Sequence, residues 1–103
     1  MKVGEYGINF VLGVGYNISG FSSLTLTFTK PDGTTLVVTD PAVAVGSGDI
    51  VTELGTFADE TYATYTFQSG DVDQDGEWSV ILTYVDGSKQ LFSDVARFTI
   101  DDD

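Results

Sequence analysis

The stretch Ser23-Leu24-Thr25-Leu26-Thr27-Phe28-Thr29-Lys30-Pro31-Asp32-Gly33-Thr34 decides the fold. Apolar and polar residues alternate without a break from Ser23 to Thr29. An extended chain therefore puts Leu24, Leu26 and Phe28 on one face and Thr25, Thr27 and Thr29 on the other. In Lys30-Pro31-Asp32-Gly33, proline presets φ at the second position of a tight turn, and glycine is free to take positive φ. The segment reads as a β-hairpin that returns along Thr34 to Thr39.

The same two-residue period recurs on both sides of this hairpin. Upstream, Tyr6 to Leu12 aligns Ile8, Phe10 and Leu12, and Gly13 and Gly15 end the run. Downstream, Asp40-Pro41 breaks the return strand, and Ala42 to Val45 and Ile50 to Leu54 read as short pieces, with Gly55 to Glu60 as a connection. Thr61 to Phe67 places Ala63, Tyr65 and Phe67 inward and Tyr62, Thr64 and Thr66 outward. After an acidic turn from Ser69 to Gly76, Glu77 to Val85 brings Trp78, Val80, Leu82 and Tyr84 together, and Asp86-Gly87 is a strong hairpin signal. Lys89 to Ile100 is long enough to contain a bulge near Ser93-Asp94, beyond which Ala96, Phe98 and Ile100 face one way. About seven antiparallel strands with turns roughly every ten residues and no helical stretch predict an all-β chain, a single immunoglobulin-like β-sandwich. A small closed barrel is the alternative architecture. The chain reads as one domain over residues 1–103, ending in the short acidic tail Asp101-Asp102-Asp103.

Composition narrows the chemistry. The 103 residues hold 16 Asp plus Glu against 4 Lys plus Arg, a formal charge of -12, with no His and no Cys. Histidine- or cysteine-dependent catalysis, metal sites built on those residues, disulfides and thiol redox chemistry are thereby excluded. So negative a surface repels nucleic-acid phosphates. No apolar run approaches the ~20 residues of a membrane helix, and Met1-Lys2-Val3-Gly4-Glu5 lacks a secretory pattern. Neither a membrane nor a nucleic-acid partner is expected.

Two constellations are candidate sites. Asp71-Val72-Asp73-Gln74-Asp75-Gly76 has the alternating carboxylates of a calcium loop. Leu82 stands where an EF-hand needs a bidentate glutamate, so only a looser site on Asp71, Asp73 and Asp75 stays open beside its reading as a polar turn. Tyr6, Tyr16, Phe21, Phe57, Tyr62 and Phe92 are not all accommodated by the inward faces; they either close the ends of the sandwich or form a sugar-stacking or protein-binding surface. Tyr62, flanked by outward Thr64, is the best interface candidate. No paired-carboxylate cleft or phosphate loop can be assigned, so no catalytic, cofactor or metal residue is expected and the chain is read as a non-enzyme.

Three segments taken together carry a resemblance. Asn17-Ile18-Ser19-Gly20 leads into Leu24 to Thr34; Gly70-Asp71-Val72-Asp73-Gln74-Asp75-Gly76-Glu77-Trp78 follows; Ser93-Asp94-Val95-Ala96-Arg97-Phe98-Thr99-Ile100 completes it. The chain resembles the small immunoglobulin-like structural proteins of tailed-bacteriophage virions, including the N-terminal domain of upper baseplate proteins. The resemblance implies a structural or accessory role on capsid, neck, tail or baseplate. It also implies synthesis in the host cytoplasm, other virion proteins as partners, and many copies in a symmetric particle. It transfers no catalytic residue and no cofactor. The competing expectation is a carbohydrate-binding or adhesion module.

Overall fold

In the computed structural model, which describes residues 2–52 and 55–102, the chain runs through ten strands. These are β1 (Asn9–Gly13), β2 (Ser23–Thr29), β3 (Thr35–Thr39), β4 (Ala44–Val45), β5 (Ile50–Thr52), β6 (Gly55–Phe57), β7 (Tyr62–Thr66), β8 (Gly76–Asp86), β9 (Lys89–Phe92) and β10 (Ala96–Ile100). The hairpin signals hold. Gly33 N–H donates to Lys30 O and sits at φ 89°, and β2 pairs with β3 from Thr25↔Thr39 to Thr29↔Thr35. At the other hairpin Asp86 Oδ1 accepts the N–H groups of Ser88 and Lys89. The Ser88 bonds hold the Asp86 carboxyl down to about 2.

The strands form a β-sandwich. One sheet has the order β10-β8-β2-β3, with β9 also on β8; the other is β1-β7-β4, and β5 and β6 make a separate two-stranded ribbon. Among the described residues every pairing between these strands is antiparallel. Between the sheets Leu24, Leu26, Phe28, Trp78, Val80, Leu82, Ala63, Tyr65, Phe67 and Ile100 are buried, the inward phases expected from the sequence. Phe28 is the hub. Its ring meets Phe10, Tyr65, Phe67, Trp78 and Phe98 at centroid distances of 5.2 to 6.4 Å, the separations at which aromatic pairs attract beyond their area burial.

The long last strand is interrupted by a bulge at Ser93 to Val95, beside the Ser93-Asp94 position expected for it. Here Leu82 N–H donates to Ser93 Oγ, 2.8 Å, while Ser93 N–H donates to Leu82 O, 2.9 Å. A side-chain oxygen thus replaces the missing rung of the ladder.

Three expectations need correction. The first strand starts at Asn9 rather than Tyr6, and Ile8 is 38% exposed instead of sharing the inward face of Phe10 and Leu12. Its backbone is engaged elsewhere: Lys2 forms a parallel bridge with Asp101, and the N–H groups of Gly4 and Gly7 donate to Val72 O and Phe67 O. Residues 2–8 thereby cross between the two sheets. The segment Gly55 to Glu60 is not merely a connection, because Gly55–Phe57 pairs with Ile50–Thr52. The remainder of the Ile50 to Leu54 piece, Glu53 and Leu54, lies outside the described residues, as does Asp103 of the tail. The third correction concerns Tyr62 and belongs to the site.

Candidate functional site

Alternation on β2, β3 and β8 turns one set of side chains outward from the larger sheet, and the registers line them up across the strands. One row reads Thr39, Thr25, Thr83, Phe92; the next reads Val37, Thr27, Ile81. Val37 is 56% exposed and Phe92 64%, with Val95 also exposed at the bulge. The two rows themselves carry no charged side chain; Arg97 and Glu77 approach to 3.8 Å beyond one end of them, and Asp86 and Lys89 are strand partners beyond the other. In a chain of net charge -12, a face of threonine, valine, isoleucine and phenylalanine is a surface of low desolvation cost for a partner. The outward threonines were legible in the sequence. The rows were not, since they depend on which strands become neighbours.

The acidic turn is divided among separate structural bonds. Asp71 Oδ2 accepts the Tyr65 hydroxyl at 2.5 Å and the Gln68 N–H at 2.8 Å. Asp73 pairs with Lys30 Nζ at 2.8 Å, and that ammonium also lies 5.6 Å from the centre of the Trp78 ring. Asp75 is exposed. The structure therefore does not bring Asp71, Asp73 and Asp75 together around one point, and among the described residues no group of three possible ligands converges.

Burial, followed by the bond to Asp71, pushes the Tyr65 phenol well above its usual range. Because the folded value lies above the unfolded one, the stabilisation is complete below pH ~10 and is lost as pH rises beyond it. Denaturant midpoints measured across alkaline pH should fall less steeply in Tyr65→Phe than in the parent chain. Equal slopes would show that this phenol does not control the alkaline limit.

Tyr62 keeps its outward phase but is not an exposed interface residue: it is 3% exposed. The ribbon β5–β6 folds over it. Phe57 from that ribbon lies 6.3 Å from the Tyr62 ring, and the Tyr62 hydroxyl donates to Gly48 O at 2.8 Å. Both rings rest on glycines of the flanking strands and loops. A Cβ on Gly13 would stand 2.6 Å from Phe57, and one on Gly46 only 1.8 Å from Tyr62. Of the other unassigned aromatics, Tyr16 and Phe21 pack against the core. Tyr6, 66% exposed, belongs to the crossing segment beside Val72 and Phe67, whereas Phe92 is opposite Thr83 on β9. The exposed aromatics thus make no common stacking row.

The surface has shallow hollows. One of about 480 Å³ is bordered by Thr39, Asp40, Pro41, Tyr65, Thr66 and Gln68, and its carboxylate, Asp40, accepts the Leu24 N–H. A narrower groove of about 210 Å³ runs between β1 and β10. Comparison of the chain with family models, with curated proteins and with solved structures found no match.

Proposed function

We propose that this chain is a non-enzymatic docking protein of a tailed-phage virion, an immunoglobulin-like sandwich that attaches to other virion subunits through the outer face of its larger sheet. The observation that carries the reading is that face: a nearly uncharged, threonine-rich and partly apolar surface on a chain of net charge -12. The strand order supports the fold assignment. The orders β1-β7-β4 and β10-β8-β2-β3 follow the B-E-D and G-F-C-C′ sheets of immunoglobulin-type sandwiches. The resemblance of the turn and strand segments to virion proteins supports the location. Many identical contacts in a symmetric particle then add by avidity, so each can be weak.

The test is the virion encoded with this chain. Purified particles should contain it in fixed copy number. The variant Val37→Asp/Phe92→Asp should keep the melting temperature yet be depleted from particles at least about tenfold, because burying unpaired carboxylates at a contact costs more than the ~1.4 kcal/mol that a factor of ten represents. Particles without the chain would remove the virion reading. Undiminished incorporation of the variant would move the contact to another surface.

A further inference from the structure

The seam between the two sheets has an unfilled side. Along it lie the outer edges of β1 and β10, which pair inward with β7 and β8 respectively and with no other strand among the described residues, except at Asp101. Asp101 O accepts the Val3 N–H at 3.0 Å in the parallel bridge. In an extended strand the N–H and C=O of one residue point to the same side, and successive residues alternate. The polar groups of Thr99 and Arg97 therefore point to the same free edge as those of Asp101. The short N-terminal contact occupies only the last position of an edge that continues for several more residues.

The surroundings of this edge specify what would extend the pairing. The groove beside it has an apolar floor of Phe10, Leu12, Ala96 and Phe98, with Phe57 at one side. Asp94 stands at one end of β10, and Asp101, Asp102 and Glu5 at the other. Among the described residues the cations along it are Arg97, which approaches Glu77 to 3.8 Å, and Lys2, in the bridge to Asp101, so the carboxylates outnumber them. A second copy of this chain, itself at net charge -12, is repelled by those carboxylates. An extended segment with alternating apolar residues and a lysine or arginine near each end matches both the floor and the two acidic ends.

We infer that the β10 edge accepts such a segment from a partner protein as an added strand, with main-chain bonds to Arg97 and Thr99 and apolar side chains in the β1–β10 groove. The inference rests on the reading of the chain as a docking protein, and it assigns that protein a second, strand-capturing contact apart from the threonine-rich face.

The probe is the synthetic peptide Lys-Val-Thr-Val-Thr-Val-Lys, added in millimolar excess to the intact protein and compared with the same peptide carrying glutamate at both ends. Amide hydrogen exchange at Arg97 and Thr99 should slow at least about tenfold with the basic peptide and not with the acidic one. Arg97→Pro, which removes an outward N–H without touching the bonds to β8, should abolish the protection. Ala96→Glu, which places a carboxylate on the groove floor, is the second variant should the proline unsettle the strand, and it should weaken the effect in the same direction. Unchanged exchange at Arg97 and Thr99, or equal protection by both peptides, overturns the inference. That result leaves the docking proposal intact, because the Val37→Asp/Phe92→Asp incorporation assay reads a different surface.

Discussion

Phe28→Ala should lower the unfolding free energy by about 3–5 kcal/mol, the range for truncating a buried phenylalanine where the neighbours cannot collapse into the space. The site gives little room for collapse. Phe28 is fully buried near the end of β2, between Leu36 on β3 and Val80 on β8, and touches five other aromatic rings from both sheets. Those rings are fixed by contacts of their own: Trp78 Nε1 donates to Gln74 O at 3.1 Å, and Tyr65 is tied to Asp71. Such a loss is a large part of the total stability of a domain of this size, and the melting temperature should fall by more than about 10 °C. Urea unfolding of the two chains measures it. A loss below about 1.5 kcal/mol would show that the rings can close the gap and that Phe28 is not the hub of the core. Phe98→Ala, at a half-buried position on the edge strand β10, should cost less.

Gly46→Ala should be the most damaging single-methyl change in the chain. The new Cβ would stand 1.8 Å from the Tyr62 ring, far inside van der Waals contact, and the ring cannot turn aside. Its hydroxyl donates to Gly48 O at 2.8 Å, with Ser47 O the alternative acceptor at 3.2 Å, and Phe57 flanks it. Relief therefore requires displacing either the loop or the β5–β6 ribbon, with an overpacking cost of about 1–3 kcal/mol. A double-mutant cycle isolates the cause: in a Tyr62→Ala background the same change should cost at least about 1 kcal/mol less. An equal cost in both backgrounds would mean that the glycine is needed for something other than the ring above it. Hydrogen exchange in the ribbon, faster in Gly46→Ala than in Phe28→Ala at equal global stability, would show that the ribbon lifts locally.

Much of the larger sheet was legible because its strands carry their own instructions. Alternation fixes the faces of Ser23–Thr29 and Gly76–Asp86, and Pro31-Asp32-Gly33 and Asp86-Gly87 supply turn chemistry that needs no tertiary help. Legibility failed where a residue's environment is set by distant chain. Tyr62 has the phase of an exposed side chain, but exposure also depends on what lies above the strand, and the covering ribbon is too short to announce itself through periodicity. The Asp71 turn failed differently. Spacing alone shows that carboxylates can converge, while Asp71 is claimed by Tyr65 and Gln68 a few residues upstream and Asp73 by Lys30, which comes from the distant β2–β3 turn. The uncharged face was half visible, as outward threonines on one strand. That Val37 and Ile81 flank Thr27 follows from pairing.

The bulge at Ser93 carries a consequence of parity. Between Thr83↔Phe92 and Val80↔Ala96 the chain takes three steps on β8 and four on its partner. Leu91 and Ala96 both contact the core although their numbers differ by an odd interval, five, which an unbroken strand would forbid. The extra residue resets which side chains count as inside. Loss of one residue between Ser93 and Val95 would close the bulge: Leu91 and Ala96 would then be four apart, and an unbroken strand would carry Ala96, Phe98 and Ile100 inward as before. The joint is consequently the place where the last strand can shed a residue, and lineages of this fold should tolerate loss of Asp94 with the faces of Ala96 to Ile100 unchanged, whereas a deletion within Ala96–Ile100 would exchange them.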